Sequence, residues 1–277
     1  LAAALDALAA QLAQVPGGAA RFAANGARAG TFHAWQRAQA RAARAIDAAL
    51  DGHPRSEAAL LRAAIAAVPE GAAIQLGNSL PIRVIDQVCS GGPAHPVLTQ
   101  RGAAGIDGLI ASAAGATCAG QPVLLVLGDV SFAHDLGGLL AARCAAAPLA
   151  ILVIDNRGGQ IFAGLPIARA AQGDAFERHW LTVPELDPAA VASALGLRAT
   201  TATSPAGAAA AIATALATPG VTVIHAPVSA SGAHDVRRAA LDGFELIPPH
   251  DSRADSRVGS RADSRADSRA DSREGTQ

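Results

Sequence analysis

The sequence predicts an α/β fold, a doubly wound parallel sheet with helices on both faces. Short apolar runs, at residues 123–127 and 149–154, have the length and bulk of strands that are buried on both faces. Stretches rich in leucine and alanine alternate with these runs, as at residues 132–146, and are long enough for helices. A polar or glycine-rich turn such as Gly128-Asp129 follows several runs, which is typical of the ligand-binding edge of an open parallel sheet.

Three domains are predicted along the chain. Residues 1–55 look helical, with a second helical stretch at 31–50, and have no obvious sheet to pack on, so we interpret them as the end of a middle domain or a linker. Residues 56–250 contain the sheet. Residues 251–277 are mostly an Ala-Asp-Ser-Arg repeat with alternating charges and almost no apolar side chain, which predicts a disordered tail.

The elements of the central domain follow one another as strand and helix. The predicted strands cover residues 72–76, 97–99, 123–127, 149–154, 197–201 and 221–224. The predicted helices cover residues 56–68, 80–88, 106–116, 132–146, 188–195 and 205–217. Ser56 is a good N-cap for the first of these helices, and Pro81 falls in the first turn of the second, where a missing amide hydrogen is harmless.

Composition excludes several classes of function. The net charge of -1 provides no basic excess for nucleic acid. No uniformly bulky, uncharged run of about 18 residues predicts a membrane span, and without a signal-peptide pattern we expect a cytoplasmic protein. The three cysteines stand mostly among small or apolar neighbours, which predicts buried structural thiols. Because the chain begins at Leu1 and contains no Met, we expect a fragment of a longer product.

Two predicted turns place polar side chains that could bind a metal ion at one edge of the sheet. Asp129 and Asn156 follow neighbouring strands joined by a right-handed crossover, so they should emerge side by side. A carboxylate, an amide oxygen and a backbone carbonyl are ligands that Mg²⁺ accepts, usually shared with a phosphate. An Asp and an Asn after strands also cap ordinary turns, and the residue types alone leave that alternative open.

Longer motifs at these turns resemble a known family. Gly128-Asp129, followed after 26 residues by Asn156, is similar to the GDG…NN motif by which thiamin diphosphate enzymes bind magnesium and diphosphate, with Val130 and Arg157 as departures. Four segments resemble the 2-succinyl-5-enolpyruvyl-6-hydroxy-3-cyclohexene-1-carboxylate synthase (MenD) branch, in which an aliphatic residue commonly replaces the third glycine. They are GNSLPIRVID (77–86), RGAAGIDG (101–108), GDVSFAHDL (128–136) and NRGGQIF (156–162).

This resemblance implies a role for each matching residue. Asp129, Asn156 and the carbonyl of Gly158 would bind Mg²⁺, and Ile106 would be the aliphatic wedge that bends thiamin diphosphate. The remaining residues implied in cofactor binding are Gly128, Ser131 and Gly159. The residues implied in binding substrate are Ser79, Arg83 and Arg101, which would hold carboxylates, and Gln160, Ile161 and Phe162, which would line the pocket. His134 matches a family position, but we interpret it as structural.

The resemblance also implies the reaction and the partners. The family decarboxylates 2-oxoglutarate on thiamin diphosphate and adds the resulting four-carbon carbanion to isochorismate, in menaquinone biosynthesis. Its enzymes are homo-oligomers, dimers or tetramers, and the activating glutamate comes from a pyrimidine-binding domain that these residues do not contain. We therefore place no catalytic residue here and expect the chain alone to be inactive. Another thiamin diphosphate decarboxylase or carboligase, and a non-catalytic remnant that binds cofactor or an assembly partner, are the alternatives.

Overall fold

A computed structural model of the 277-residue chain describes residues 26–89, 95–100, 102–172 and 174–246. Arg101 and the repeat tail lie outside the described residues, as does the first helical stretch near the amino end. Among the residues that the structure describes, no helix is both long and apolar enough to cross a membrane.

The sheet contains six parallel strands, as the sequence predicts. They are β1 (Ala73–Leu76), β2 (Val97–Thr99), β3 (Val123–Gly128), β4 (Leu149–Asp155), β5 (Arg198–Thr201) and β6 (Val221–Pro227). Their order across the sheet is β2-β1-β3-β4-β6-β5. In the central pair Gly128 lies beside Ile154, so the turns after β3 and β4 leave the sheet at the same level. This register confirms that the turns containing Asp129 and Asn156 share one edge.

Helices connect and cover the strands. They are α1 (Gly26–Gly52), α2 (Glu57–Ala66), α3 (Leu80–Val88), α4 (Leu109–Ala116), α5 (Asp129–His134), α6 (Gly138–Ala142), α7 (Ile167–Ala170), α8 (Pro188–Ala194), α9 (Pro205–Leu216) and α10 (Gly232–Leu246). The oxygen of Ser56 accepts a hydrogen bond from the amide of Ala59 at 3.1 Å, as predicted for an N-cap.

Each face of the sheet has its own hydrophobic core, so the sheet is doubly wound. On one face, side chains such as Leu61 and Ile212 pack against Leu124 and Leu152. On the other, residues of α4 to α6 and α8 pack against alternate strand positions such as Leu125. Burial of both faces explains why the central strands are continuous apolar runs.

The helical region before the sheet also packs on it. Ala49 and Leu50, near the end of α1, are buried and belong to the first core together with residues of α2. The predicted boundary near residue 55 therefore falls where the chain is already in contact with the sheet domain. The contact depends on small alanines spaced along α1, which gave a weak amphipathic signal in the sequence.

Two predicted helices differ from the structure. The helix expected from Ile106 begins at Leu109, because Gly108 has a left-handed conformation with φ 67°. The helix expected over residues 132–146 is divided into α5 and α6. The break lies between His134 and Gly138. The side chain of Asp135, within the break, accepts hydrogen bonds from the amides of Gly108 and Ile110 at the start of α4. Gly138, the first residue of α6, lies so close to α4 that a Cβ there would be 2.9 Å from the Cβ of Ile110.

Other features were missed or predicted wrongly. No element is predicted for the region of α10, and β6 continues to Pro227, three residues beyond its predicted end. Cys118 and Cys144 are exposed and Cys89 is half-buried, so the prediction of buried thiols is wrong for the first two. Cys118 follows the last turn of α4 and Cys144 that of α6, where small neighbours indicate a short connection and not a core.

Candidate functional site

The order of the strands places a crevice at the carboxyl end of the sheet. After β1 the chain adds β2 on one side and then crosses to add β3 on the other, which makes the gap between β1 and β3 a topological switch point. Open α/β sheets bind ligands at such a point. The segments that leave here are Gly77-Asn78-Ser79 after β1 and Gly128-Asp129 after β3, and both belong to motifs found in the sequence.

Asp129 is the first residue of α5 and is buried, with 5% of its surface exposed. Its carboxylate accepts hydrogen bonds from the amide of Val130 at 2.9 Å and from the amide of Gly158 at 2.7 Å. Burial raises the pKa of Asp129 to about 6 despite these two bonds, and the nearby charge of Asp155 adds to the increase. The carboxylate thus joins the turns after β3 and β4 in a site that disfavours an uncompensated negative charge.

Asn156 is buried in the turn after β4, with 4% of its surface exposed. Its amide nitrogen donates a hydrogen bond of 2.8 Å to the carboxylate of Glu57, the first residue of α2. The Asn156 Oδ1 atom is also buried and has no hydrogen-bond partner among the described residues. An unpaired acceptor of this kind costs free energy unless a ligand or ion meets it.

Glu57 brings a second buried carboxyl group to the same place. It is 1% exposed, and its Oε1 atom finds no hydrogen-bond partner in the described part of the chain. Burial raises the pKa of Glu57 to about 7, the bond from Asn156 opposes the increase, and the charge of Asp129 reinforces it. Two carboxyl groups that repel one another across a buried turn favour a cation between or beside them.

Gly158 and Gly159 allow the turn after β4 to lie against another segment. Gly158 has φ +103°, and a Cβ there would lie 2.4 Å from the carbonyl oxygen of Leu181. A Cβ on Gly159 would lie 2.7 Å from the carbonyl oxygen of Trp180. The Gly158 carbonyl accepts a 2.8 Å hydrogen bond from the amide of Gln160, which leaves its second lone pair for another partner.

Arg157 adopts a conformation that its residue type disfavours, with φ +64°. Asn takes this left-handed conformation at a lower cost than Arg. The amide of Arg157 donates to Asp155, which also pairs with His225 through a 3.0 Å contact. This pairing with His225 lowers the pKa of Asp155, and its hydrogen bond makes the largest contribution.

These residues fit a hard divalent cation. The candidate cation site, defined as Asp129, Asn156 and the carbonyl of Gly158, offers only oxygen atoms, and one of them is the unpaired Oδ1 of Asn156. Within the described ranges, no group of three His, Cys, Asp or Glu side chains is arranged to hold a metal. A site made from one carboxylate, one amide and one backbone carbonyl suits Mg²⁺ shared with a phosphate better than Zn²⁺.

The other predicted cofactor residues differ in their burial and in the elements that carry them. Ser131 is buried in α5. A Cβ on Gly128 would meet no described atom within 4 Å, so the space beside this turn is open. Ile106 is half-buried in the loop before α4 and does not belong to the core on that face. Ile106 therefore lies outside the helix that was predicted to begin with it.

Hydrogen bonds from other segments hold the loop that carries Ile106. The Asp135 carboxylate accepts hydrogen bonds from the amides of Gly108 at 3.1 Å and Ile110 at 2.7 Å, which caps α4 from another segment. On the other side of the crevice, the Asn78 amide donates 2.7 Å to the carbonyl of Gly105. The turn after β1, the Ile106 loop and the segment after β3 are therefore linked to one another.

The predicted carboxylate-binding residues are only partly described. Ser79 is half-buried and has φ 74° and ψ −135°, a strained backbone for a residue other than glycine. The guanidinium of Arg83, an exposed residue, donates 2.6 Å to the carbonyl of Ser79. Arg101 lies outside the described residues, so its place relative to this pair stays a prediction.

The predicted pocket segment lies beside the glycines. Gln160 is buried, while Ile161 and Phe162 are half-buried. The ring of Phe162 packs edge-on against Trp180, with centroids 5.3 Å apart. His234 of α10 contacts the carbonyl of Gln160 through Nε2 at 2.8 Å, and because a carbonyl only accepts, this ring nitrogen donates.

Sequence reasoning missed three residues that shape the site: Glu57, Asp135 and His234. Glu57 lies in the first turn of α2, where an acidic residue needs no other explanation. It is 99 residues from Asn156 in the chain, so no local pattern connects them. His134, the histidine that matched a motif, is exposed in α5, and its interpretation as structural stays a prediction.

The parallel sheet and the comparison with known families identify a thiamin diphosphate-binding domain. Residues 88–226, half of the chain, match the family described as thiamine pyrophosphate enzyme, C-terminal TPP binding domain, and the chain belongs to this family. Within the family, the sequence matches the C-terminal portion of 2-succinyl-5-enolpyruvyl-6-hydroxy-3-cyclohexene-1-carboxylate synthase. This confirms the family relationship predicted from the motifs.

Individual relatives show the extent of the similarity. The synthase of that name from Sorangium cellulosum is 40% identical over 259 residues, which cover 90% of this chain and 38% of the relative. The synthase from Geobacillus kaustophilus is 49% identical over 104 residues, 37% of this chain and 18% of the relative. The chain thus spans well under half the length of these relatives.

A solved structure supports the fold. Benzoylformate decarboxylase from Polynucleobacter necessarius superposes with a TM-score of 0.52 at 20% identity, over 62% of this chain and 33% of that one. At this identity the match shows the thiamin diphosphate-binding fold and nothing finer.

Proposed function

We propose that this chain supplies the diphosphate- and Mg²⁺-binding part of a carboligase that decarboxylates 2-oxoglutarate and joins the product to isochorismate. The observation that carries the proposal is the candidate cation site, where the carboxylate of Asp129 is bonded to the turn after β4 and that turn also carries the buried, unpaired Oδ1 of Asn156. Its motifs and its relatives direct the proposal to menaquinone biosynthesis.

The residues of the candidate cation site would bind Mg²⁺ together with the diphosphate of the cofactor. Asp129 supplies a charge-bearing oxygen, and its bond to the Gly158 amide holds the turn after β4 in register with it. Gly128, Gly159 and Ser131 would border the diphosphate. When bound, thiamin diphosphate supplies the electron sink for decarboxylation, and the protein positions it and binds the acids.

We assign the two acids to the residues that the motifs identify. Arg83 and Arg101 would bind carboxylates, because a guanidinium forms two parallel hydrogen bonds to a carboxylate. Ser79 would contribute from its strained turn, and Ile106 would support the bent cofactor from the loop before α4. Gln160, Ile161 and Phe162 would form an adaptable wall, with Phe162 held by Trp180.

Turnover should require more than these residues. The chain spans 38% of the Sorangium cellulosum relative, and no residue here is proposed to activate the cofactor. We propose that the activating glutamate comes from a pyrimidine-binding domain, in a homo-oligomer in the cytoplasm, and that the chain by itself is inactive.

The test is a hybrid in which residues 26–246 replace the matching portion of the Sorangium cellulosum synthase. We expect the purified hybrid to consume 2-oxoglutarate only when isochorismate, thiamin diphosphate and Mg²⁺ are all present. The Asp129→Ala hybrid should lose at least about a hundredfold of this activity, because a missing charged ligand removes several kcal/mol of cofactor binding.

One control and two contradicting outcomes make the result decisive. Replacing the exposed Asp242 with Asn should leave the activity of the hybrid unchanged. A folded hybrid that binds thiamin diphosphate but consumes neither acid would contradict the proposed substrates and favour a different thiamin diphosphate enzyme. A folded hybrid that does not bind the cofactor would contradict the cofactor site itself.

A further inference from the structure

Glu57 lies where it can control the orientation of a proposed metal ligand. Its Oε2 atom receives the 2.8 Å hydrogen bond from the amide nitrogen of Asn156. An asparagine amide can turn by 180° and exchange its nitrogen and oxygen, and an acceptor opposite it selects the nitrogen. The oxygen of Asn156 must then face away from Glu57, and this is the Oδ1 atom that is buried without a partner among the described residues.

The surroundings of Glu57 keep it in this position. It follows the N-cap Ser56 at the start of α2, and the loop after β6 closes over this helix start. The amide of Ser229 donates to the carbonyl of Arg55 at 3.2 Å, and a Cβ on Gly232 would lie 2.9 Å from the Cα of Ser56. A carboxyl group that could have remained in water is thereby held inside, 1% exposed.

We propose that Glu57 is a positioning residue that holds the Asn156 amide with its oxygen toward the bound cation. The proposal rests on the proposed function, because it presupposes that Asn156 is a ligand. Groups that orient metal ligands typically contribute 10- to 100-fold to metal affinity. A buried carboxyl group with an unpaired oxygen stabilises a fold poorly, which favours a functional reason for its place.

The experiment measures Mn²⁺ affinity by electron paramagnetic resonance on the whole chain, with thiamin diphosphate present. Glu57→Leu keeps the volume but removes the acceptor, and should weaken Mn²⁺ binding about tenfold. Glu57→Gln keeps a carbonyl oxygen that can accept from Asn156, and should recover part of this loss. Glu70→Gln, an exposed glutamate beyond the other end of α2, is the matched control and should have no effect.

A double-mutant cycle separates positioning from a general structural role. Asn156→Ala should weaken Mn²⁺ binding, and adding Glu57→Leu to it should cause no further loss, because Glu57 acts through Asn156. The melting temperature of Glu57→Leu should equal or exceed that of the wild type. Should this variant not fold, Glu57→Gln is carried through the same cycle, where it should again be silent in the Asn156→Ala background.

Three results would overturn the proposal. An Mn²⁺ affinity of the Glu57→Leu variant within twofold of wild type would contradict the positioning role of Glu57 and leave the proposed function intact. Equal losses in Glu57→Leu and Glu57→Gln, or an undiminished loss in the Asn156→Ala background, would assign the effect to charge or folding. A wild-type chain that binds no Mn²⁺ would contradict the candidate cation site, and the proposed function with it.

Discussion

At the residue scale, the turn after β4 depends on a conformation that only glycine takes freely. Gly158 combines φ +103° with the close approach of the Leu181 carbonyl, and its amide is the one that Asp129 binds. A side chain here would force both the backbone and residues 177–181 to move. The position thus couples local geometry directly to the candidate cation site.

Gly158→Ala should lower the free energy of unfolding by about 2–4 kcal/mol, the combined cost of a left-handed alanine and of overpacking. Urea denaturation followed by circular dichroism measures this change. Gly137→Ala is the matched control, since its φ is −60° and its Cβ would meet no described atom within 4 Å. Equal stabilities of the two variants would contradict the packing of Gly158 against Leu181.

At Arg157, in contrast, we expect a substitution to increase the free energy of unfolding. Arg157→Asn should raise the free energy of unfolding by about 0.5–1 kcal/mol, because Asn accepts φ +64° at a lower cost than Arg. Arg157→Ala should bring no such gain, since alanine meets the same steric penalty. The comparison uses the same urea denaturation, and a gain in the alanine variant would show that the guanidinium, and not the backbone, is the source of the effect.

At the element scale, α4 is capped by a residue from another segment. Asp135 lies between α5 and α6, and its carboxylate binds two amides at the start of α4. The same two hydrogen bonds fix the end of the loop that carries Ile106. The division of one predicted helix into α5 and α6 thus serves to anchor a neighbour at the edge where the cofactor is proposed to bind.

Asp135→Ala should cost about 1–2 kcal/mol of stability, the usual contribution of an N-cap. Hydrogen exchange should show faster exchange of the Gly108 and Ile110 amides, which lose their acceptor, while the amides of β3 and β4 keep their protection. His134→Ala, at an exposed neighbouring position, should change neither quantity. Uniform acceleration throughout the sheet would show that Asp135 supports the whole fold and not the cap.

At the scale of the whole molecule, local patterns in the sequence predicted most of the architecture. The six strands, their parallel direction and the shared edge of Asp129 and Asn156 follow from apolar runs, helix lengths and the handedness of crossovers. These signals are local or depend on general rules of connection. The predicted start of α4 was wrong because the left-handed conformation of Gly108 and the hydrogen bonds to Asp135 determine where this helix begins. Neither feature can be predicted from the periodicity of the sequence.

What the sequence could not indicate depends on contacts between distant segments. Glu57 and Asn156 are 99 residues apart, and His234 and Gln160 are 74 apart. Each of these residues has an ordinary local explanation, Glu57 and His234 in the first turns of helices and Asn156 and Gln160 in the segment after β4. Only the folded chain shows that Glu57 binds the amide nitrogen of Asn156 and that Asp129 binds the amide of Gly158 in the same turn.

The most direct test is a crystal structure of the chain with Mn²⁺ and thiamin diphosphate, using anomalous scattering to locate the metal. We expect one Mn²⁺ peak bound by a carboxylate oxygen of Asp129, Oδ1 of Asn156 and the carbonyl of Gly158, at about 2.0–2.3 Å from each. The diphosphate should complete its coordination beside Gly128. A metal bound elsewhere, or diphosphate bound away from the turns after β3 and β4, would contradict the candidate cation site and the proposed function.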